Sequence, residues 1–190
     1  MRLVAAALVC LPAVARAQLG ELHVGGVVSY GPAHDYRLGG GLVLGVAAGR
    51  LTYVGVRWAY QTGSTQSAGS GATPVEVTSR LQVFALDLGL QIPAAALEIV
   101  PGVSLGAARF AQRTSQLGGG GQPVTGGDHI TKVLAAPSLS VQARVAWLLF
   151  IPELQYFLAG DPDLAWPAPH HGPVATLRIV ATRELARIRR

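Results

Sequence analysis

Cysteine and methionine are almost missing from this sequence, with one of each in 190 residues, and charged side chains make up only 13%. The single cysteine, Cys10, lies in the first eighteen residues. A disulfide framework and a cysteine-based metal centre are therefore excluded for the rest of the chain. Scarce charge and 50% hydrophobic residues exclude a disordered polar chain. Helix-friendly composition is lacking as well, because 24 glycines and 12 prolines interrupt helix interiors. Aromatic residues are few, at 6%, so their positions carry information.

Several motifs are absent too. The run "GGGG" at 118–121 has no following Lys-Ser or Lys-Thr and no helix pattern, so it is no phosphate loop. No His-x-Ser occurs, which removes the pairing that a lipid-deacylating barrel enzyme would place on its lipid face. No Gly-x-Trp marks a lipocalin-like first strand. A helical membrane span over 143–160 would put Pro152 and Glu153 at its centre, which is costly.

What is present begins with "MRLVAAALVCLPAVARAQ". Arg2, an apolar core and Ala15-Arg16-Ala17 predict a signal peptide over 1–17, removed before Gln18. The formal net charge of +5 includes Arg2 and Arg16, which leaves +3 for the remainder. The last eight residues, "RELARIRR", also carry +3, from four arginines against Glu184. The body between is neutral, so no nucleic-acid footprint is expected. The chain divides into a signal peptide (1–17), one β-domain (18–182) and a basic tail (183–190).

Eight segments alternate apolar and polar residues with period two, near 20–33, 36–48, 51–62, 80–92, 97–111, 133–147, 150–160 and 173–182. Short links near 48–50, 93–96 and 148–149 alternate with longer polar links at 63–79, 114–132 and 161–172, and with the brief 31–35. Short turns at one end and long loops at the other predict an all-β, eight-stranded antiparallel up-and-down barrel, with short periplasmic turns and longer external loops.

Charge placement then sets which face is which. In "RLQVFALDLGLQIP" (80–93), Phe84, Leu86, Leu88, Leu90 and Ile92 share one face, and Asp87 stands on the other. With the apolar face outward, mid-strand charges gather inside: Glu21, Arg37, Arg57, Asp87, Glu98, Arg144, Glu153 and Arg178. Four acids and four arginines permit full pairing in a lumen just wide enough for side chains. His23, Gln91, Ser138, Gln142 and Gln155 share that face, with glycines making room. A two-residue turn at Leu148-Leu149 predicts Arg144 opposite Glu153. A four-residue link at 93–96 predicts Gln91 opposite Glu98, and Arg57 is expected diagonal to Asp87. Outward aromatics near strand ends, Tyr30, Tyr36, Trp58, Tyr60 and Phe84 at one end and Trp147 and Phe150 at the other, predict two interfacial girdles.

This pattern over 18–182, with phrases such as "PGVSLGAARF" (101–110), resembles the small outer-membrane barrel family that groups OmpA-like transmembrane domains, OmpX-like proteins and opacity-type proteins. The resemblance implies an integral protein of a Gram-negative-type outer membrane, with no cofactor and no catalysis, whose partners are outer-membrane lipids and the assembly machinery. One departure is plain: the family usually ends its last strand on an aromatic residue, and the sequence here reads "TLRIVATRELARIRR". A structural, surface-interaction or adhesion role is expected. The rivals are a small channel and a soluble periplasmic lipocalin-like carrier with the leucine face turned inward. Arg80, Arg109, Arg113 and Lys132 gather at the long-loop rim as candidate contacts for lipopolysaccharide phosphates. His170-His171 beside Asp161 and Asp163, like His34-Asp35, is read as solvated loop.

Overall fold

The computed structural model describes residues 19–31, 36–48, 52–68, 75–117, 123–164 and 170–185. These form β1 (Leu19–Tyr30), β2 (Tyr36–Ala48), β3 (Thr52–Ala68), β4 (Val75–Leu90), β5 (Ile92–Ala94), β6 (Leu97–Leu117), β7 (Pro123–Val145), β8 (Leu148–Ala159) and β9 (Gly172–Glu184). β5 continues the line of β4 past Gln91, so the nine strands make eight walls. Apart from β4 and β5, which run on in one line, each strand is antiparallel to its sequence neighbour; β1 pairs with β9, and β4 pairs with β6. The pairings therefore close into a ring with no free edge along the barrel wall.

Alternation decides the two faces. Even residues of β1 to β4 and odd residues of β6 and β7 point out, and the outward leucines and valines lie bare, Leu42 at 64% exposure and Leu154 at 59%. The mid-strand arginines Arg57 and Arg178 are buried inside. This excludes the lipocalin-like carrier, which needs the leucine face enclosed. Residues 143–160 form the β7–β8 hairpin rather than a helical span.

The lumen is packed. Toward the long-loop end, Tyr36, Leu81, Phe110, Leu134, Phe157 and Val174 join one apolar cluster. Alternation predicts polar and small residues throughout the interior; the plug differs because inward valines and leucines look like outward ones wherever both parities are apolar. Inward glycines let the sheet curl. A Cβ on Gly41 would run into the Trp58 carbonyl and lie 2.7 Å from the Ala59 Cα, and one on Gly106 would meet the Phe84 carbonyl in the same way.

Three local expectations need correction. The register shifts between Tyr36 and Leu38, where β2 pairs Tyr36 with Gly63 but Leu38 with Thr62. This bulge exchanges two faces: Tyr36 turns fully inside against Phe110 (5.6 Å), and Arg37 turns out to solvent. The β7–β8 turn is Ala146-Trp147, two residues earlier than expected, because Leu148 already pairs with Val145. The long links are also less irregular than predicted. β3 and β4 continue their ladder to the pair Ala68–Val75, and β6 and β7 continue to Leu117–Pro123. The predicted signal peptide, His34-Asp35, the four glycines and most of the basic tail lie outside the described residues; β9 includes Arg183 and Glu184.

Candidate functional site

Four strands deliver four charges to the middle of the lumen. Arg57 comes from β3, Asp87 from β4, Glu153 from β8 and Arg178 from β9, each less than a tenth exposed. In the eight-walled ring, β3 faces β8 and β4 faces β9, so the charges approach from opposite walls. Arg57 Nη2 donates to Asp87 Oδ1 at 2.9 Å, and Arg57 Nη1 lies 3.5 Å from Glu153 Oε2. Arg178 Nη2 sits 3.1 Å from Glu153 Oε1, and its Nη1 lies 3.5 Å from Asp87 Oδ2. Each arginine thus touches both acids, and the four make a closed, electrically neutral ring.

Neutral groups complete it. The Ser104 hydroxyl donates to Asp87 at 2.7 Å and accepts from Arg57 at 2.6 Å. The Thr176 hydroxyl donates to Glu153 at 3.0 Å. The Arg178 guanidinium lies 5.7 Å from the centre of the Tyr53 ring, a cation–π distance. Beside this ring a cavity of about 10 Å³ is lined by Tyr53, Ser104, Ser138, Ser140 and the two acids. That is room for about one water. Tyr53, Ser104 and Thr176 carry no charge that marks them in the sequence, although each has the inward parity of its strand.

A second cluster closes the short-turn end. Arg144 grips Glu21 with both Nη atoms, at 2.8 and 2.6 Å, and its Nη1 also donates to Thr182 Oγ1 at 3.0 Å. His23 Nε2 lies 3.3 Å from Glu21 Oε2, and its ring packs 5.5 Å from Tyr53. The expected Arg144–Glu153 pair does not form. With the turn moved by two residues, Glu153 stands opposite Ser140 and Arg144 opposite Leu149, though both keep the inward face. Glu98 stands opposite Pro93 and Gln142 rather than Gln91, and it joins none of the described ion pairs. Arg57 and Asp87 are diagonal across the β3–β4 ladder, where Gly55 faces Asp87.

The rim cations divide. Arg80, Arg109 and Arg113 point outward and are exposed, whereas Lys132 has the inward parity of β7, opposite buried Ala108. Lys132 therefore does not share the arginines' face, because β7 places odd residues outside. His129, beyond the strand limits expected from sequence, joins the outward arginine rows. Among the described residues no group of three or more His, Cys, Asp or Glu side chains is placed to hold a metal. The His170 and His171 rings lie 3.9 Å apart, tilted at 51°, with His170 edge-on to Phe110.

No protein-family profile matches the chain, and no curated protein sequence does. Solved structures do. A major outer membrane protein from Thermus thermophilus superposes with a TM-score of 0.67 at 10% identity, covering 87% of this chain and 99% of that one. Ail, the attachment invasion locus protein of Yersinia pestis, gives a TM-score of 0.49 at 14% identity, covering 87% of this chain and 98% of its own. At 10% identity the likeness to the Thermus protein concerns the fold, and it agrees with the closed strand order and the outward leucine belt. The chain has the fold of the small outer-membrane β-barrels.

Proposed function

We propose that the protein is an integral, non-enzymatic outer-membrane barrel that presents a surface for interaction outside the cell. The outward belt of leucine and valine is a surface that hydrocarbon solvates better than water, and the closed ring leaves no unpaired backbone within it. The lumen, filled by the apolar plug and the charge ring, argues for an anchor rather than a wide pore.

The observation that carries the interactive role is the unequal height of the walls. β6 and β7 have 21 and 23 residues, against 12 in β1 and in β8. β3, β4, β6 and β7 therefore rise beyond their neighbours as a four-stranded sheet. β8 pairs with β7 only from Leu134 onward, so among the described residues Val124–Lys132 has a strand partner on one side alone. Residues 124–129 are all exposed. An open strand edge offers backbone donors and acceptors to an incoming extended segment.

The test uses the shortage of cysteine. Thr125→Cys and Ala96→Cys are made singly, and intact cells are treated with a membrane-impermeant maleimide. Labelling at 125 and none at 96 is expected; the reverse pattern, or equal labelling, refutes the orientation. Cells whose chain lacks 115–125 should then lose attachment to surfaces or cells while keeping heat-modifiable migration of the barrel. Undiminished attachment would refute the interactive role.

A further inference from the structure

β8 stops at Ala159, and β7 runs past it over Val124–Lys132. The Val133 C=O accepts from the Gly160 N–H at 3.3 Å, so odd residues of β7 direct their backbone groups toward the β8 side and even ones toward β6. Beyond Gly160, therefore, Thr125, Gly127, His129 and Thr131 aim their N–H and C=O groups at a side where the described residues supply no strand. One of these donors is already taken. The His129 N–H donates to Asp128 Oδ1 at 2.7 Å, so a carboxylate lies across the middle of the open edge. A charge placed on an edge guards it against indiscriminate pairing.

Asp128 has the inward parity of β7, yet it is exposed. Gln112 stands opposite it on β6, with Phe110 and Thr114 at the diagonals, so no cation faces it from that strand. Lys132, in the same row of β7, is about 13 Å further along. Asp128 joins none of the described ion pairs. A residue placed opposite it on the open side would form a non-hydrogen-bonded antiparallel pair, with Cα atoms about 4.5 Å apart and side chains close. The same row offers apolar contacts on both sides of that place, from Ile130 and from Val124, which is 65% exposed, with Gly126 between. A strand that continues the line of β8 runs antiparallel to β7. At every second residue it meets Ile130, Asp128, Gly126 and Val124, in that order.

We propose that this edge receives an extended peptide segment with a lysine or arginine opposite Asp128, an apolar residue two positions before that cation and another four positions after it. The latch rests on the interactive role proposed above, with the long-loop end outside. On docking, the Asp128 carboxylate leaves the His129 N–H for the incoming cation, and the freed N–H donates to a backbone carbonyl of the segment. The ladder then forms without leaving the carboxylate unpaired. A segment with a neutral residue at that place must release the same N–H with nothing for the carboxylate to meet, and an acidic residue adds repulsion. Asp128 thus selects the partner as well as guarding the edge.

The full chain folded in detergent is titrated with the fluorescein-labelled peptide Ile-Thr-Lys-Thr-Thr-Thr-Val and with versions carrying glutamine or glutamate in place of lysine, and anisotropy is read. The lysine peptide should bind about fivefold more tightly than the glutamine peptide, and the glutamate peptide more weakly still. Asp128→Ala should bring the lysine and glutamine peptides within a factor of about two of each other, by strengthening the glutamine peptide. Gly127→Pro removes a donor from the open side alone, at a site where a Cβ meets only the Gln112 carbonyl at 3.6 Å, and should abolish binding of all three. A lysine preference that is absent in the parent, or that survives Asp128→Ala, would overturn the latch, as would a lysine peptide that binds Gly127→Pro as well as the parent. Dimers of the parent that Gly127→Pro dissolves, seen by light scattering, would give the edge to a second copy instead. Attachment of cells is measured separately, with 115–125 present and absent. Attachment that needs the segment while peptide selectivity is missing removes only the latch; attachment indifferent to the segment removes the interactive role itself.

Discussion

Asp87→Asn tests the charge ring directly. The side chain keeps its shape and its Oδ1 acceptor, so Arg57 and Ser104 retain a partner near 2.9 and 2.7 Å. What disappears is one negative charge from a site where both arginines are less than a tenth exposed. The ring then holds two cations against Glu153 alone. Removing one partner of a buried ion pair costs about 3–5 kcal/mol, because the remaining charge stays desolvated without compensation. Asp87 serves both Arg57 and Arg178, which places the expected loss toward the upper end of that range. Folding from urea into lipid vesicles, followed by tryptophan emission, measures the loss as a shift of the midpoint at constant slope. The double variant Asp87→Asn/Arg57→Met restores neutrality around Glu153 and Arg178. Its loss should be smaller than the sum of the single losses by about 2 kcal/mol or more. A single variant that loses less than about 1 kcal/mol, or a strictly additive pair, would refute the view that these four charges act as one closed unit.

Glu21→Gln should cost no more than about 1 kcal/mol in the same assay, because its partner Arg144 is 47% exposed and water screens the pair; a loss as large as that at Asp87 would contradict the contrast between rim and lumen. Leu105→Arg places a cation on the bare outward belt and should destabilise the folded barrel by about 2–4 kcal/mol, with a smaller effect in thinner bilayers. Ala95 and Ala146 hold φ of 56° and 55° in the short turns, a region that penalises any Cβ. Glycine at either position should raise stability by about 0.5–1 kcal/mol, and destabilisation by glycine would count against these turn conformations.

The sequence alone determined the two faces and the number of walls. Period two is a local property, and one buried carboxylate among leucines, Asp87, is enough to orient a strand. Hence the inward placement of Arg57, Glu153 and Arg178, and the outward row from Phe84 to Leu90, were legible from spacing. Where a single extra residue enters, that logic fails. The bulge at Tyr36 and Leu38 turned Arg37 outward and Tyr36 inward, and nothing in the alternation of β2 announces it. The turn at Ala146-Trp147 was hidden for a related reason, since moving a hairpin by two residues preserves every face while changing every partner. Arg144 therefore stayed inside but met Glu21 rather than Glu153. The meeting of four charges across the lumen was decided only by tertiary structure. Closure sets β3 against β8 and β4 against β9, and side chains far apart in sequence then share one dry space whose neutrality none of them could supply alone.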